Sequence, residues 1–576
     1  MPTKTIIYQI FTRLFGNKNP NCTPNGTKEQ NGCGLFNDIS QKALREIKKL
    51  GATHVWFTGI IAHASQTDYS RFGIPADHPA VVKGKAGSPY AIKDYYDVDP
   101  DLASDPNQRM NEFEQLIRRT HNAGLKAIID FVPNHVARQY KSRCLPLGTK
   151  DLGEDDNNTK AFDPQNNFYY LPGQPFNPRF DLKASAPAPY SEAPAKATGN
   201  DCFSPSPNQN DWFETVKLNY GIDYCGGRTQ HFSPTPSTWI KMRDILLFWT
   251  QKGIDGFRCD MAEMVPAEFW SWTIPQVKQR RPDLIFIAEV YNPNEYRNYL
   301  FNGHFDYLYD KVGLYDTLRG VVCGHTPASD ITHCWQSTND IRANMLSFLE
   351  NHDEQRIASD FFAGDPLKGR PALIVSACMG NNPFMLYFGQ ELGEKGMDEE
   401  GFSGRDGRTT IFDYWSAPSI RRWNNNGRFN TALLTPEEQN IRQFYATVLN
   451  LCHTRPALAS GDFYDLTYAN LNTPDFNAQR CFAFVRRKAS ELLLILANFS
   501  PSDQNAAIQI PKHFFDFMQI REAETLEACD LITGTKETLS FNARAKTNTV
   551  IPAFSGKILK MKVETAKRRP ASPENN

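Results

Sequence analysis

Lys126-Ala127-Ile128-Ile129-Asp130-Phe131-Val132-Pro133-Asn134-His135 is the stretch from which the fold can be read. It opens as a short apolar and β-branched run and ends on a proline, with acid, amide and imidazole side chains around the exit. Comparable runs lie at Thr5–Phe11, Thr53–Thr58, Gly256–Asp260, Leu284–Val290, Phe305–Tyr309, Met345–Glu350 and Phe384–Phe388. Together with Lys126–Val132 they make eight predicted strands. Longer amphipathic stretches separate them, among them Ile39–Leu50, Glu112–Ala123 and Thr238–Gln251, the last followed by Gly253 as a helix stop. Strand and helix in alternation predict an α/β fold, and eight strands are what a closed (β/α)8 TIM barrel requires.

The alternation breaks between about 138 and 236, a stretch crowded with Pro, Asn, Asp and Gly. A loop of that length is usually functional. Inserted after the third strand, it would stand at the face where barrel active sites form. Beyond 457 the pattern becomes strand-like throughout, at Cys481–Arg486, Glu491–Asn498, Ala506–Ile510 and Lys557–Val563. The predicted organisation is therefore barrel (1–137), inserted domain (138–236), barrel (237–456), C-terminal all-β sandwich (457–564) and a charged tail without order (565–576).

Composition narrows the partner. Lys and Arg number 63 against 64 Asp and Glu, so no global field draws nucleic acid or an acidic membrane, and neither is expected as a partner. Aromatic residues make up 12% of the chain, which suits stacking on neutral rings and suits a large core equally. No run of about 18 apolar residues occurs. The N-terminus shows no charged, apolar and small-residue segments in order. As the sequence stands the protein is expected in the cytoplasm, or in the periplasm or medium if a leader was removed, as a monomer or simple homo-oligomer. Twelve Cys lack C-x-x-C spacing; reduced thiols are expected, with Cys22 and Cys33 as the one pair that would close a loop. Asn21-Cys22-Thr23 and Asn25-Gly26-Thr27 match the glycosylation triplet, a pattern common by chance.

Four predicted strands end on acids: Asp130-Phe131-Val132-Pro133-Asn134-His135, Gly256-Phe257-Arg258-Cys259-Asp260, Phe286-Ile287-Ala288-Glu289 and Phe348-Leu349-Glu350-Asn351-His352-Asp353. An acid at one strand end is more often a solvated loop residue, but four on the C-terminal side of barrel strands mark a site. In order and spacing these segments resemble the conserved regions of glycoside hydrolase family 13, the α-amylase family. Supporting pieces are Ser88-Pro89-Tyr90-Ala91-Ile92-Lys93-Asp94-Tyr95, Val216-Lys217-Leu218-Asn219 and Pro383-Phe384-Met385-Leu386-Tyr387-Phe388-Gly389-Gln390-Glu391. The resemblance runs from Thr5 to about Pro456 and implies a barrel with an inserted domain B and a C-terminal β-sandwich.

The resemblance implies that Asp260 is a nucleophile, Glu289 a general acid/base and Asp353 a third carboxylate that orients the sugar. Retaining hydrolysis needs two carboxyl groups about 5 to 5.5 Å apart, one ionised and one protonated. Arg258 lies two residues before Asp260, on the same side of a strand, and is expected to hold it ionised. Apolar Phe286, Ile287 and Ala288 are expected to raise the pKa of Glu289. Tyr90 matches the residue that stacks on the reacting ring, and His135 and His352 match donors to sugar hydroxyls. Arg356 is expected to pair with a site carboxylate, and Asp94, Asp130 and Asn134 to brace the site.

Two departures stand out. Glu263 and Met264 replace the Lys and His that many relatives hold after the nucleophile. Lys217 replaces an Asp that usually contributes to the family's calcium, and an ammonium repels a divalent cation. No metal is expected there; Lys217 is expected instead to reach Asn134 and brace the junction. The acidic run Glu154-Asp155-Asp156-Asn157-Asn158 does not match a calcium loop. The expected activity is retaining hydrolysis of α-1,4-glucosidic bonds in starch, glycogen or maltodextrin. An α-glucan transglycosylase is the near alternative and a non-catalytic α-glucan-binding protein the remote one.

Overall fold

The structure, a computed structural model, describes residues 4–180 and 188–566. Eight parallel strands close into a barrel: β1 (Ile6–Phe11), β2 (His54–Thr58), β3 (Lys126–Phe131), β4 (Gly256–Cys259), β5 (Ile285–Ala288), β6 (Tyr307–Tyr309), β7 (Met345–Phe348) and β8 (Phe384–Tyr387). Each strand pairs with its neighbours in sequence, and β8 returns to β1 with Ile6 opposite Phe384. Several strands are shorter than predicted. The last residues of those runs are the first loop residues, although Asp260 N still donates to Phe131 O and Glu289 N to Cys259 O.

Alternation along the strands sorts the side chains. Ile7, Trp56, Ile128, Ile287, Tyr309, Leu346, Phe348 and Met385 form one interior cluster, while Ile6, Tyr8, Val55, Ile129 and Phe257 belong to the core under the helices. Each such burial contributes about 1.5–3 kcal/mol. The same parity carries Gln9, Asp130, Arg258, Asp260 and Glu289 inward, two residues beyond an inward neighbour or register partner. The barrel is therefore filled by apolar side chains below and polar ones above.

Helices cover the outside. Gln41–Leu50 begins where the Ser40 hydroxyl accepts from Ala43 N and stops at Gly51, whose φ of 115° a residue with a Cβ adopts poorly. The prediction started it two residues early because Ile39 continues the apolar spacing across the cap. Between β3 and the helix Ser237–Gln251 runs an excursion with no helix among its described residues, held by antiparallel pairs. The first of these, His135–Ala137 with Thr215–Lys217, pins the excursion at the mouth of β3.

The C-terminal domain has a six-stranded antiparallel sheet, in the order Asp462–Asp465, Cys481–Lys488, Glu491–Asn498, Ser555–Lys562, Ala523–Asp530 and Lys536–Phe541. A pair, Gln504–Ile508 with Thr547–Ile551, completes the sandwich. Phe482, Phe484, Leu493 and Ile495 join the barrel's core; Ala483, Val485, Leu492 and Leu494 face the domain's own. The sheet is thus covered on both faces. Of the tail predicted at 565–576, Thr565 bridges to Ile520 and residues 567–576 lie outside the described residues.

Candidate active site

Arg258 is the centre of the polar layer. Fully buried, it donates from Nη1 to Asp260 Oδ1 at 2.8 Å and to Asp130 Oδ1 at 3.4 Å, and from Nε to the Tyr309 hydroxyl at 3.1 Å. Its Nη2 lies 2.8 Å from Glu289 Oε2, an ion-pair contact outside hydrogen-bonding angles. Asp130 also accepts from Trp56 Nε1 at 2.9 Å. One guanidinium therefore faces three buried carboxyl groups.

That ratio corrects the electrostatic expectation. Arg258 does not serve Asp260 alone, and one positive charge cannot keep three desolvated acids ionised. Burial and the Glu289 charge push Asp260 well above the usual carboxylate range against the pull of Arg258. Burial likewise pushes Asp130 up to about 7, with Arg258 opposing. The proton belongs to the cluster rather than to one acid. Glu289, by contrast, is well supplied with donors: Met261 N to Oε2 at 2.7 Å and the Tyr291 hydroxyl to Oε1. The Met261 amide reaches it because Met261 sits at φ 43°, ψ 42°, a left-handed conformation that costs a non-glycine residue about 1–3 kcal/mol.

Asp260, Glu289, Asp353, Tyr90 and His135 line one open cavity of about 250 Å³. Trp212, Tyr291, Met261 and Phe412 complete its apolar wall, and the ion-paired Lys83 and Glu214 stand at its edge. Asp353 is the most open of the acids, its side chain 42% exposed. His352, expected to donate to a sugar hydroxyl, instead stands behind the wall with its side chain fully buried. Its Nδ1 faces Gln9 Nε2 at 2.9 Å, so Nε2 carries the hydrogen and reaches the Tyr90 hydroxyl at 2.5 Å and Asp353 Oδ2 at 3.0 Å. Burial and Arg258 hold His352 far below the usual histidine pKa, and burial with Lys217 brings His135 down to about 3. Both imidazoles are neutral donors.

Other expected residues lie elsewhere. Arg356 is fully buried and gives Nη1 to Glu350 Oε2 and Phe388 O, both at 2.9 Å, and Nε to Thr409. This corrects its expected place at the substrate: it locks the loop after β7, and the acid it pairs with is not one of the cavity's. Asp94 accepts from the backbone of Tyr96, Arg143 and Cys144 and braces the loop rather than Arg258. Asn134 donates to Gly199 O and accepts from Lys217. Sequence reasoning missed Trp212, Tyr291, Met261 and Gln9. For Gln9 and Tyr291 a signal existed, since each lies two residues beyond an inward-facing position or a site acid.

Where the resemblance expects a calcium ligand, this chain has an ammonium. Buried Lys217 places Nζ 2.8 Å from Asn134 Oδ1 and 2.5 Å from Asp201 Oδ1, with the Tyr224 ring 5.1 Å away. An ammonium so placed repels a divalent cation at close range. Among the described residues, Asp94, Asp97 and Cys144 approach metal-ligand spacing, but Arg109 grips Asp97 and three amides occupy Asp94. In the acidic run, Asp155 pairs with Lys150 and Asp156 accepts from the backbone of Asn167 and Phe168. All twelve cysteines are free, Cys22 and Cys33 included. A groove of about 960 Å³ on the C-terminal domain holds none of the expected residues.

A closed parallel barrel that gathers three acids and two neutral imidazoles at the C-terminal ends of its strands has the make-up of a glycoside hydrolase. The family model "Alpha amylase, catalytic domain" matches residues 9–175 and 234–425, and the chain belongs to that family. The unmatched residues between fall in the excursion. Alpha-amylase 3 of Dictyoglomus thermophilum is 23% identical over 93% of this chain and 92% of its own length. Neopullulanase 2 of Thermoactinomyces vulgaris is 21% identical over 88% and 72%. The crystal structure of an α-amylase from Geobacillus thermoleovorans complexed with acarbose superposes with a TM-score of 0.63 at 19% identity, over 98% of this chain and 99% of that one, which shows the common fold.

Proposed function

We propose that the protein hydrolyses α-1,4-glucosidic bonds of starch, glycogen or maltodextrin with retention of configuration. The observation that carries this reading is the single guanidinium of Arg258 held between Asp260 and Glu289 on one cavity wall. Two carboxyls tied to one fork are compatible with the short separation retention needs. With the cluster's shared proton on Glu289, ionised Asp260 attacks the anomeric carbon, Glu289 protonates the leaving oxygen and later deprotonates water, and Asp353 holds the ring hydroxyls. Tyr90 stacks beneath the ring, neutral His135 donates to its oxygens, and His352, behind the wall, holds Tyr90 and Asp353 in place. No calcium is needed at the junction, where Lys217 supplies the positive charge.

Reducing-sugar release from soluble starch by wild type, Asp260→Asn and Glu289→Gln tests this. Each variant should lose about three orders of magnitude or more in kcat with its melting temperature kept. Activity within tenfold of wild type in Asp260→Asn would exclude it as the nucleophile. Maltoheptaose products shorter than the substrate support hydrolysis, and longer ones would convert the reading to transglycosylation.

A further inference from the structure

Glu263 does not face the cavity. Its Oε2 accepts from Tyr291 N at 3.1 Å and from Asn292 N at 3.0 Å, while its own carbonyl accepts from the Tyr299 hydroxyl at 3.0 Å. The loop after β4 thus holds the loop after β5. Tyr291, so held, reaches back to give its hydroxyl to Glu289 Oε1, and Met261, at the start of the Glu263 turn, gives its amide to Oε2. Both oxygens of one cavity acid are fixed by the two segments that Glu263 ties together. Tyr291 also lines the cavity, and Met261 lies beside it.

We propose that Tyr291 is a positioning residue for Glu289, aiming its carboxyl at the leaving oxygen, and that Glu263 is the anchor that keeps Tyr291 in place. This rests on Glu289 being the acid/base. A side chain two positions after the acid would otherwise swing free, because the chain leaves β5 at Ala288. With both oxygens held, the carboxyl has no second rotamer to adopt, and orientation of this kind is worth orders of magnitude in rate. The Tyr291 phenol remains a donor throughout, since burial and the Glu289 charge push its pKa far above the usual range.

Other groups face Glu289: Arg258 and Asp260 from β4 and its exit, Asp130 from β3, Tyr309 from β6 and His352 from the exit of β7, with Asp353 facing Tyr291. All remain in Tyr291→Phe, so that variant isolates the hydroxyl. A donor to a carboxylate favours its ionised form, and removing it raises the acid's pKa. The basic limb of kcat/KM should move up by about half to one pH unit, and kcat should fall about tenfold with little change in KM.

Glu263→Ala should shift the limb in the same direction, whereas Glu263→Gln, which keeps an acceptor oxygen, should restore it. A basic limb of Tyr291→Phe superimposable on that of wild type would overturn the proposal whatever happens to its melting temperature. Glu289→Gln separates the two readings. If it is inert and the Tyr291→Phe limb is unmoved, the positioning role alone fails; if it stays active, the assignment of Glu289 fails.

Discussion

Lys217 shows what a single residue decides. Its ammonium bonds Asn134 at the end of β3 and Asp201 in the excursion, so a charge supplied by the chain holds the junction. Chelation is therefore expected to leave activity and melting temperature unchanged; loss that added calcium restores would mean that an ion holds this junction or another place. The contact between Lys217 and Asn134 was legible in the sequence, since identity at one position sufficed. The same holds for Asp260, Glu289, Asp353, Tyr90 and His135, which line the cavity as their order along the chain implied. The electrostatic division was not legible. It depends on Arg258 standing opposite Ile287 in the sheet register, which sets its fork against Glu289 as well as Asp260. Arg356 was misread because direction is lost once a chain leaves its strand, and Trp212 was missed because it comes from a distant loop.

At the scale of elements, strand alternation explains both the site and a liability. His54 opens β2, buried, and burial with the nearby Lys126 lowers its pKa to about 4. The unfolded chain takes up this proton near the ordinary histidine pKa of about 6.5 and the folded chain does not. Unfolding thus binds a proton in the window between about 4 and 6.5, and stability present above it is lost as pH falls through it. Asp130 and Glu400, pushed up to about 7 and about 9 by burial, act in the opposite sense: they favour the fold at low pH and lose that contribution as pH rises. The His54 share is read as a difference. Between about pH 7 and pH 4.5, His54→Asn should lose less stability than wild type, by roughly 2 kcal/mol, in urea titrations. Equal losses would show that His54 titrates normally in the fold.

Across the whole molecule, the C-terminal domain is part of the barrel's stability. Arg486 is buried and donates to Met379 O at 2.8 Å and Gly461 O at 2.9 Å, from the sheet face that carries Phe482 and Phe484 into the barrel core. Arg486→Ala leaves those carbonyls without a donor and should cost about 2–4 kcal/mol, seen as a lower melting temperature with kcat nearly unchanged at low temperature. An unchanged melting temperature would show the domains to be independent. The closure of β8 onto β1 has one more consequence. During synthesis the first strand leaves the ribosome hundreds of residues ahead of its last partner, and until Phe384 emerges the nascent sheet has two open edges. Until the barrel closes those edges are open to wrong pairing, so the strand order itself sets how long the nascent chain is exposed to aggregation.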